Sequence, residues 1–361
     1  MTAMRHLLLT CDAVGGVWQY STDLARALEL LGYQVTLAVM GPSPDQSARD
    51  SIAQSSNVEL VDSGLELDWL AADPAPVLEA ERRLAQLAGD LGADLVQLHS
   101  PALVSMGHYR CPVIAVQHSC VATWWAAVHG GEMPDDFRWR TDMVSRGLQH
   151  ATIAITPSAS FAEAVRQVYG VSPFPVHDGR NLAVPARKPM RDYVFTAGRL
   201  WDEGKNVRVL DEAAATISVP ILAAGPVQAP QGGALSIQAL QAIGTLNEHG
   251  LAERLSERPI FASAALYEPF GLAVLEAASA GCALILSDIP TFRELWEGAA
   301  TFVSPHDPKD YARAIEHMLG DRAARTDAGK RAQQRARRYN PAAMAAAMVG
   351  HYATAEQRVA A

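Results

Sequence analysis

Two glutamates frame a short apolar segment in the second half of the chain, Glu268-Pro269-Phe270-Gly271-Leu272-Ala273-Val274-Leu275-Glu276. The pattern predicts a loop around Glu268 and a helix over Leu272–Ala280 that contains Glu276. Free N–H groups at a helix start attract phosphate, and a glycine there lets a ligand approach the backbone closely. Carboxylates can accept hydrogen bonds from the hydroxyl groups of a sugar and of a ribose. The segment therefore predicts a site for a sugar joined to a nucleotide.

Two cations flank a second loop, Gly198-Arg199-Leu200-Trp201-Asp202-Glu203-Gly204-Lys205-Asn206, which enters a predicted helix. Arg199 offers a planar fork of donors and Lys205 a compact positive charge, a combination that suits a diphosphate. A surface turn whose cations stay hydrated explains this segment equally well.

The first half of the chain offers weaker signals at the ends of predicted strands. Gly15 and Gly16 follow the first strand and open a helix, so the backbone there could approach a phosphate. The third glycine of a dinucleotide fingerprint is missing, and a plain strand-to-helix turn is as consistent. His118 and His99 each end a predicted strand, where functional residues gather, although a hydrogen-bonded structural histidine is more frequent there.

Aromatic residues in the same half could contact a second substrate. Trp124 and Trp125 lie in a segment predicted as a loop, where exposed rings could stack on sugars; packing at a domain edge is as consistent. With Trp18 and Tyr20, they are the candidates for lining an acceptor groove.

Composition excludes several classes of protein. The net charge of −9 argues against binding of nucleic acid, and four scattered cysteines without a CxxC pair argue for reduced thiols in a cytoplasmic protein without structural zinc. No apolar run approaches the ~20 residues of a membrane-spanning helix. Peripheral contact with the inner face of a membrane stays open, since Arg322–Arg338 is rich in basic residues, but a solvated helix face is the more frequent explanation.

The elements that must position these residues form two series of alternating strands and helices across 361 residues. The first series of predicted strands is His6–Thr10, Gln34–Val39, Asp94–Leu98, Val113–Gln117 and Thr152–Thr156. The second is Tyr193–Ala197, Pro220–Ala224, Pro259–Phe261, Ala283–Leu286 and Thr301–Val303. The helical patterns include Val17–Leu31, Leu78–Leu91, Phe137–Gln149, Ser158–Tyr169, Asn206–Ile217, Leu235–Asn247, Leu272–Ala280 and Pro308–Leu319.

This alternation predicts an α/β chain of two Rossmann-like domains in tandem. We expect an N-terminal, acceptor-binding domain over residues 1–180 and a nucleotide-sugar-binding domain over 190–338, joined by a proline-rich linker, Val171–Asp192. A helical segment, 339–361, should pack back on the N-terminal domain. Ligands bind beyond the carboxyl ends of such strands, so the active site is expected in the cleft between the domains.

Four segments in this order resemble the family 4 glycosyltransferases of the GT-B fold: Gly15-Gly16-Val17, the strand-end His118, Gly198-Arg199 with Lys205-Asn206, and the Glu268 to Glu276 segment. The resemblance implies a retaining transfer of a hexose from a nucleotide-diphosphate sugar to an acceptor, which could be a glycan, a lipid or a small molecule. It also implies that neither a metal nor a further cofactor takes part.

The resemblance assigns a role to each matching position. Glu276 would hold the ribose hydroxyls and Glu268 those of the transferred sugar, while Arg199 and Lys205 would neutralise the leaving diphosphate. The backbone at Phe270, Gly271 and Leu272 would contact phosphate and sugar. In the other domain, Gly15 and Gly16 would approach the diphosphate, and His118 would line the sugar pocket near the reacting carbon.

Other functions on the same fold stay open. One is a nucleotide-sugar 2-epimerase, another is a glycan phosphorylase, and a third is a non-catalytic protein that binds a nucleotide-sugar. The sequence lacks the Asp-x-Asp triplet that often holds a metal against a sugar diphosphate, and it lacks the HExxH, P-loop and GxSxG motifs. It does not determine the base, the sugar, the acceptor, the linkage or the oligomeric state.

Overall fold

The computed structural model describes residues 4–13, 15–186, 188–230 and 232–360, apart from the side chains of Ser47 and Ala360. The chain divides into two compact units. The first unit comprises the chain up to Ala126, the segment Gly130–Arg180 and the chain from Asn340 onward. The second unit comprises Ala127–His129 and Asn181–Tyr339.

The first unit is built on a parallel sheet that has seven strands within the described residues, in the order β3-β2-β1-β4-β5-β6-β7. Its elements are β1 (Arg5–Asp12), α1 (Gly16–Leu28), β2 (Tyr33–Met40), α2 (Gln46–Ala53), β3 (Val58–Asp62), α3 (Pro74–Asp90), β4 (Leu95–Leu98), β5 (Val113–Val116), α4 (Val121–Val128), α5 (Arg138–His150), β6 (Ile153–Thr156), α6 (Ala159–Tyr169) and β7 (Phe174–Pro175). Three consecutive residues of β1, Leu7, Leu8 and Leu9, are fully buried. Burial of neighbouring residues, whose side chains point to opposite faces, shows that helices cover both sides of the sheet.

The second unit repeats this design with a six-stranded parallel sheet, counted over the described residues, in the order β10-β9-β8-β11-β12-β13. Its elements are β8 (Val194–Ala197), α7 (Val207–Ala214), β9 (Ile221–Ala224), β10 (Gln241–Ala242), α8 (Glu248–Ser256), β11 (Ile260–Ser263), α9 (Leu272–Ala280), β12 (Ala283–Ser287), α10 (Pro290–Trp296), β13 (Thr301–Val303), α11 (Pro308–Gly320) and α12 (Arg322–Ala336). The ten strands predicted from the sequence are all confirmed, each within two residues at either end.

The last helix, α13 (Pro341–Ala360), belongs to the first unit. Its apolar side enters the core beside β1 and α1, where Met348 and Tyr352 are fully buried. The Tyr352 hydroxyl also donates a hydrogen bond of 2.5 Å to Oε1 of Gln97 on β4. Among the described residues, no helix combines the length and the apolar composition needed to cross a membrane.

The predicted helix over Leu235–Asn247 is wrong. This stretch is mostly irregular, contributes the short strand β10 at the sheet edge and ends where α8 begins. The carboxylate of Asp211 on α7 accepts hydrogen bonds from the backbone N–H groups of Gln238, Ala239 and Leu240, at 2.8–3.1 Å. Because these N–H groups bind a side chain from another element, they are not available for a helical ladder.

The loop predicted around Trp124 and Trp125 is also wrong, because both residues lie within α4. The backbone N–H of Thr123, in the first turn of this helix, lies 3.4 Å from the thiol sulfur of Cys120. Only the glycine-rich end of the segment, after Val128, leaves the helix.

The first part of the predicted linker is ordered as part of the first unit. Phe174–Pro175 forms β7 and pairs with β6. Arg180 is buried and makes an ion pair of 3.0 Å with Asp23 on α1. A Cβ atom on Gly179 would lie 2.3 Å from the backbone of Asn340, so the chain passes too closely there for any other residue.

Candidate active site

Two loops leave the same edge of the second unit's sheet. Strands β8 and β11 pair in parallel, with Val194 opposite Ile260 and Phe195 opposite Phe261. The carboxyl ends of parallel strands meet at one edge, so the loop after β8 and the loop after β11 emerge side by side. They carry, respectively, the two cations and the first of the two glutamates that the sequence singled out.

Hydrogen bonds hold these loops together. The carbonyl oxygen of Gly204 accepts from the backbone N–H groups of Leu266 and Tyr267, at 2.9 and 3.2 Å. The side-chain amide of Asn206 donates to the carbonyl of Ala264 at 3.0 Å. Asn206 has a φ of 51°, a left-handed conformation that asparagine tolerates better than most residues. The position of Lys205 relative to the second loop is therefore fixed by its neighbours on both sides.

Lys205 and Glu268 form an ion pair within this edge. Nζ of Lys205 lies 2.5 Å from Oε2 of Glu268, and the two side chains are only 22% and 15% exposed. The Lys205 stem passes beside Gly198, where a Cβ atom would lie 3.8 Å from Cε of the lysine. The structure thus brings together two residues 63 positions apart and shelters both charges from solvent.

Arg199 occupies a more open position. Its side chain is 49% exposed and makes a 3.0 Å ion pair with Asp202. Its guanidinium also lies 5.6 Å from the ring centroid of Trp201. Asp202 accepts a hydrogen bond from the N–H of Gly204 at 2.9 Å, which ties Arg199 to the same turn as Lys205.

Helix α9 begins immediately beside this pair, as the sequence predicts. Gly271 is its N-cap residue, with φ of 95°, and no side chain caps the helix within the described residues. A Cβ atom on Gly271 would lie 3.3 Å from Cγ of Glu268 and 3.3 Å from Cε1 of Phe292. Glycine is therefore required for both its conformation and its space, and a helix start that no described side chain caps is a position that favours an anion.

The other predicted residues of this segment differ in exposure. Glu276 follows in the second turn of α9 and is 7% exposed, so its carboxylate is mostly sheltered. Phe270 is 3% exposed, and its ring packs edge-on against Tyr339 with a centroid distance of 5.7 Å. Its ring therefore serves the core, which leaves only its backbone for a ligand. Leu272, the first residue of α9, is partly buried.

The first unit presents its candidates at the carboxyl edge of its own sheet. Gly15 is exposed, has a φ of 120° and caps α1, and Gly16 is the first residue of that helix. Apart from its chain neighbours, no atom of the described residues lies within 4 Å of a Cβ built on Gly15, so the glycine is required by its conformation. His118 follows β5 by two residues and is partly buried.

His118 contacts a second histidine, His99. The sequence alone did not predict this contact. Nδ1 of His99 lies 2.8 Å from Nε2 of His118, and Nε2 of His99 lies 3.0 Å from Oγ of Ser21. Burial lowers the pKa of His118 to about 4. Burial, followed by the nearby charge of His118, lowers the pKa of His99 well below its usual value. Both rings are therefore neutral at pH 7.

Tyr20, which the sequence made a candidate for lining an acceptor groove, packs against these two histidines. It is 2% exposed, and its ring meets His99 and His118 edge-on at centroid distances of 5.1 and 4.7 Å. Trp18 is partly buried against the core. Trp124 and Trp125 are partly buried on α4, with ring centroids 6.3 Å apart.

Comparison with protein-family models agrees with this two-unit architecture. Residues 14–178 match the model described as Glycosyltransferase Family 4. Residues 181–335 match the model described as Glycosyl transferases group 1. A glycogen synthase of Mycobacterium tuberculosis is 24% identical, covering 92% of this chain and 90% of the relative. A phosphatidyl-myo-inositol mannosyltransferase of Mycolicibacterium smegmatis is also 24% identical, covering 95% of this chain and 91% of the relative.

Solved structures share the fold along nearly the whole chain. Sucrose-phosphate synthase from Thermosynechococcus elongatus superposes with a TM-score of 0.78 at 18% identity, covering 97% of this chain and 98% of that one. Anabaena HepE, solved with UDP-glucose, gives a TM-score of 0.72 at 17% identity, covering 97% and 100%. The resemblance inferred from the sequence motifs is confirmed: this chain belongs to the glycosyltransferases of the GT-B fold, with a family 4 domain followed by a group 1 domain.

Proposed function

We propose that this glycosyltransferase moves a hexose from a nucleotide-diphosphate sugar to an acceptor, with retention of the anomeric configuration and without a metal ion or further cofactor. The observation that carries the proposal is the edge of the second unit's sheet where Lys205, Glu268 and the start of α9 converge. A sheltered cation and a helix N-terminus suit a diphosphate, and a carboxylate beside them suits sugar hydroxyls.

The relatives support the class of donor. HepE was solved with UDP-glucose, and the mannosyltransferase is named for a hexose. We assign the ribose hydroxyls to Glu276 and the hydroxyls of the transferred sugar to Glu268, with the backbone at Gly271 on the phosphate. In the first unit, we assign Gly16 to the diphosphate and His118 to the sugar.

The chemistry follows from the charges that develop. As the bond between the anomeric carbon and the phosphate oxygen breaks, its electron pair stays on the diphosphate and positive charge builds on the sugar ring. Lys205, Arg199 and the N–H groups of α9 stabilise the diphosphate, and such preorganised groups usually supply the largest catalytic contribution. The acceptor oxygen then bonds to the same face of the carbon, and its proton passes to the departing phosphate oxygen.

This route needs no carboxylate nucleophile. Glu268 already accepts a hydrogen bond from the ammonium of Lys205. A carboxylate held in this way is better suited to hydrogen-bonding the sugar than to attacking its anomeric carbon. Retaining glycosidases, by contrast, set two carboxyl groups ~5 Å apart on either side of the bond. The acceptor class remains a glycan, a lipid or a small molecule, and Trp18, Trp124 and Trp125 remain candidates for contacting it.

A panel of nucleotide-sugars tests the proposal. Thermal shift should single out one donor, because a ligand at 100 times its Kd stabilises the folded state by about 2.7 kcal/mol. Incubation of that donor with candidate acceptors, followed by NMR of the anomeric proton, should show a product that keeps the donor's configuration. An inverted product excludes the same-face route. Conversion of the donor to an epimer without an acceptor identifies the enzyme as an epimerase instead.

A further inference from the structure

Ser21 determines the direction of the hydrogen bonds that reach His118. Its side chain lies on α1 and is 0% exposed. Within the described part of the chain, Nε2 of His99, at 3.0 Å, is its hydrogen-bonding partner. A hydroxyl has one hydrogen to donate, and a buried O–H group that finds no acceptor loses its hydrogen bond to water without replacement. The Ser21 hydroxyl must therefore donate to His99.

This direction fixes the tautomers of both rings. A neutral imidazole carries one N–H and one lone pair, so His99 accepts at Nε2 and carries its hydrogen on Nδ1. That hydrogen points along the 2.8 Å contact to Nε2 of His118, which must accept it. The hydrogen of His118 then lies on Nδ1, and no described residue hydrogen-bonds that nitrogen. The lowered pKa values of both histidines agree with a neutral pair.

The surrounding residues hold the pair in this arrangement. Tyr20 meets both rings edge-on, at 86° to His99 and 73° to His118. The backbone N–H of His99 donates to Oγ1 of Thr10 on β1, at 3.0 Å. Rotation of either ring would disturb the packing of the buried Tyr20, so the pair behaves as one unit.

We propose that Ser21 and His99 are positioning residues that present His118 to the sugar-nucleotide as a neutral Nδ1–H donor. This inference rests on the proposed function for its ligand, which is an oxygen of a sugar hydroxyl or of a phosphate. The lone pair of His118 is occupied by His99, so His118 does not act as a general base. The proton of the acceptor must go elsewhere, as it does when the departing phosphate takes it.

The tautomers can be read directly by long-range ¹H–¹⁵N NMR of the full-length protein labelled at histidine, at pH 7.5. Signals are assigned with His99→Gln and His118→Gln. We expect both His99 and His118 to show the Nδ1–H pattern. An Nε2–H pattern on His118 overturns the proposal, whatever the activity of the enzyme. If no nucleotide-sugar is turned over but both tautomers are as expected, the proposed function fails and the assignment of the pair stands.

Ser21→Ala tests the origin of this arrangement, with Thr22→Ala as its matched control. Thr22 is the next residue of α1, and its hydroxyl donates within the helix to the carbonyl of Gln19 at 3.2 Å. Without the serine hydroxyl, His118 should show a mixture of tautomers, and kcat/KM should fall about tenfold, the effect of one lost hydrogen bond. Thr22→Ala should leave both unchanged. A single Nδ1–H tautomer and full activity in Ser21→Ala would remove Ser21 from the proposal.

Discussion

Replacing Lys205 with alanine should lower kcat about 100-fold while leaving the fold intact. The Lys205 side chain is 22% exposed and its ammonium lies against Glu268, so little water screens the charge. Removal of one preorganised group that stabilises developing charge costs about 3 kcal/mol of barrier, which corresponds to that factor. Arg199 is 49% exposed. Its charge is better screened, and Arg199→Ala should cost less, about tenfold.

Loss of Lys205 also leaves Glu268 without its ion-pair partner, and the carboxylate could repel the diphosphate. The double variant Lys205→Ala/Glu268→Gln separates the two effects. If repulsion weakens donor binding, the double variant should recover the donor KM of the wild type. It should not recover kcat, because the cation that we propose stabilises the leaving diphosphate is still absent.

The assay is release of nucleoside diphosphate at saturating donor, with Tm measured for every variant. Lys188→Ala is the matched control, because Lys188 also forms a Lys–Glu ion pair in the second unit, with Glu253. That pair is more open to solvent, with side chains that are 43% and 35% exposed. Its loss should leave kcat unchanged and should change the free energy of unfolding by no more than about 1 kcal/mol. If Lys205→Ala retains kcat within threefold of Lys188→Ala, the assignment of Lys205 to the leaving diphosphate is wrong.

Three further outcomes are expected. Glu276→Gln should raise the donor Kd about tenfold in calorimetry, through weaker binding of the ribose, with little change in kcat; unchanged affinity would contradict that role. Gly179→Ala should lower the free energy of unfolding by about 1–3 kcal/mol in urea, because its Cβ would overlap the backbone of Asn340, whereas Gly320→Ala, with open space around its Cβ, should not. Between pH 6.5 and 4, His118 becomes protonated in the unfolded chain but stays neutral in the folded chain, where its pKa is about 4. The free energy of unfolding should therefore fall as the pH falls over this range. His118→Gln should show a shallower decline over this range, and an equal decline would mean that His118 is not held neutral by burial.

The parallel strands could be predicted because burial on both faces leaves them as short apolar runs. The predicted helix over Leu235–Asn247, by contrast, does not form. Leu240 does reach the core, but from a bend held by Asp211, which lies 29 positions earlier. A contact of that separation leaves no trace in local periodicity, so the tertiary interaction overrides the pattern.

Some features of the candidate site could likewise be predicted from the sequence, and others could not. The start of α9 at Leu272 could be predicted, because proline, glycine and an apolar run mark it within a few residues. The pairing of Lys205 with Glu268 could not, since it depends on β8 and β11 being neighbours in the sheet. The partnership of His99 with His118 likewise requires the order of β4 and β5, and Ser21 enters it only through the packing of α1.

The most direct measurement of the central claim is a crystal structure of the enzyme with its donor, grown in the presence of magnesium. We predict diphosphate oxygens within hydrogen-bond distance of Nζ of Lys205 and of the N–H groups at the start of α9, with no cation between them. A nucleotide bound elsewhere, or a divalent cation bridging its phosphates, would contradict it.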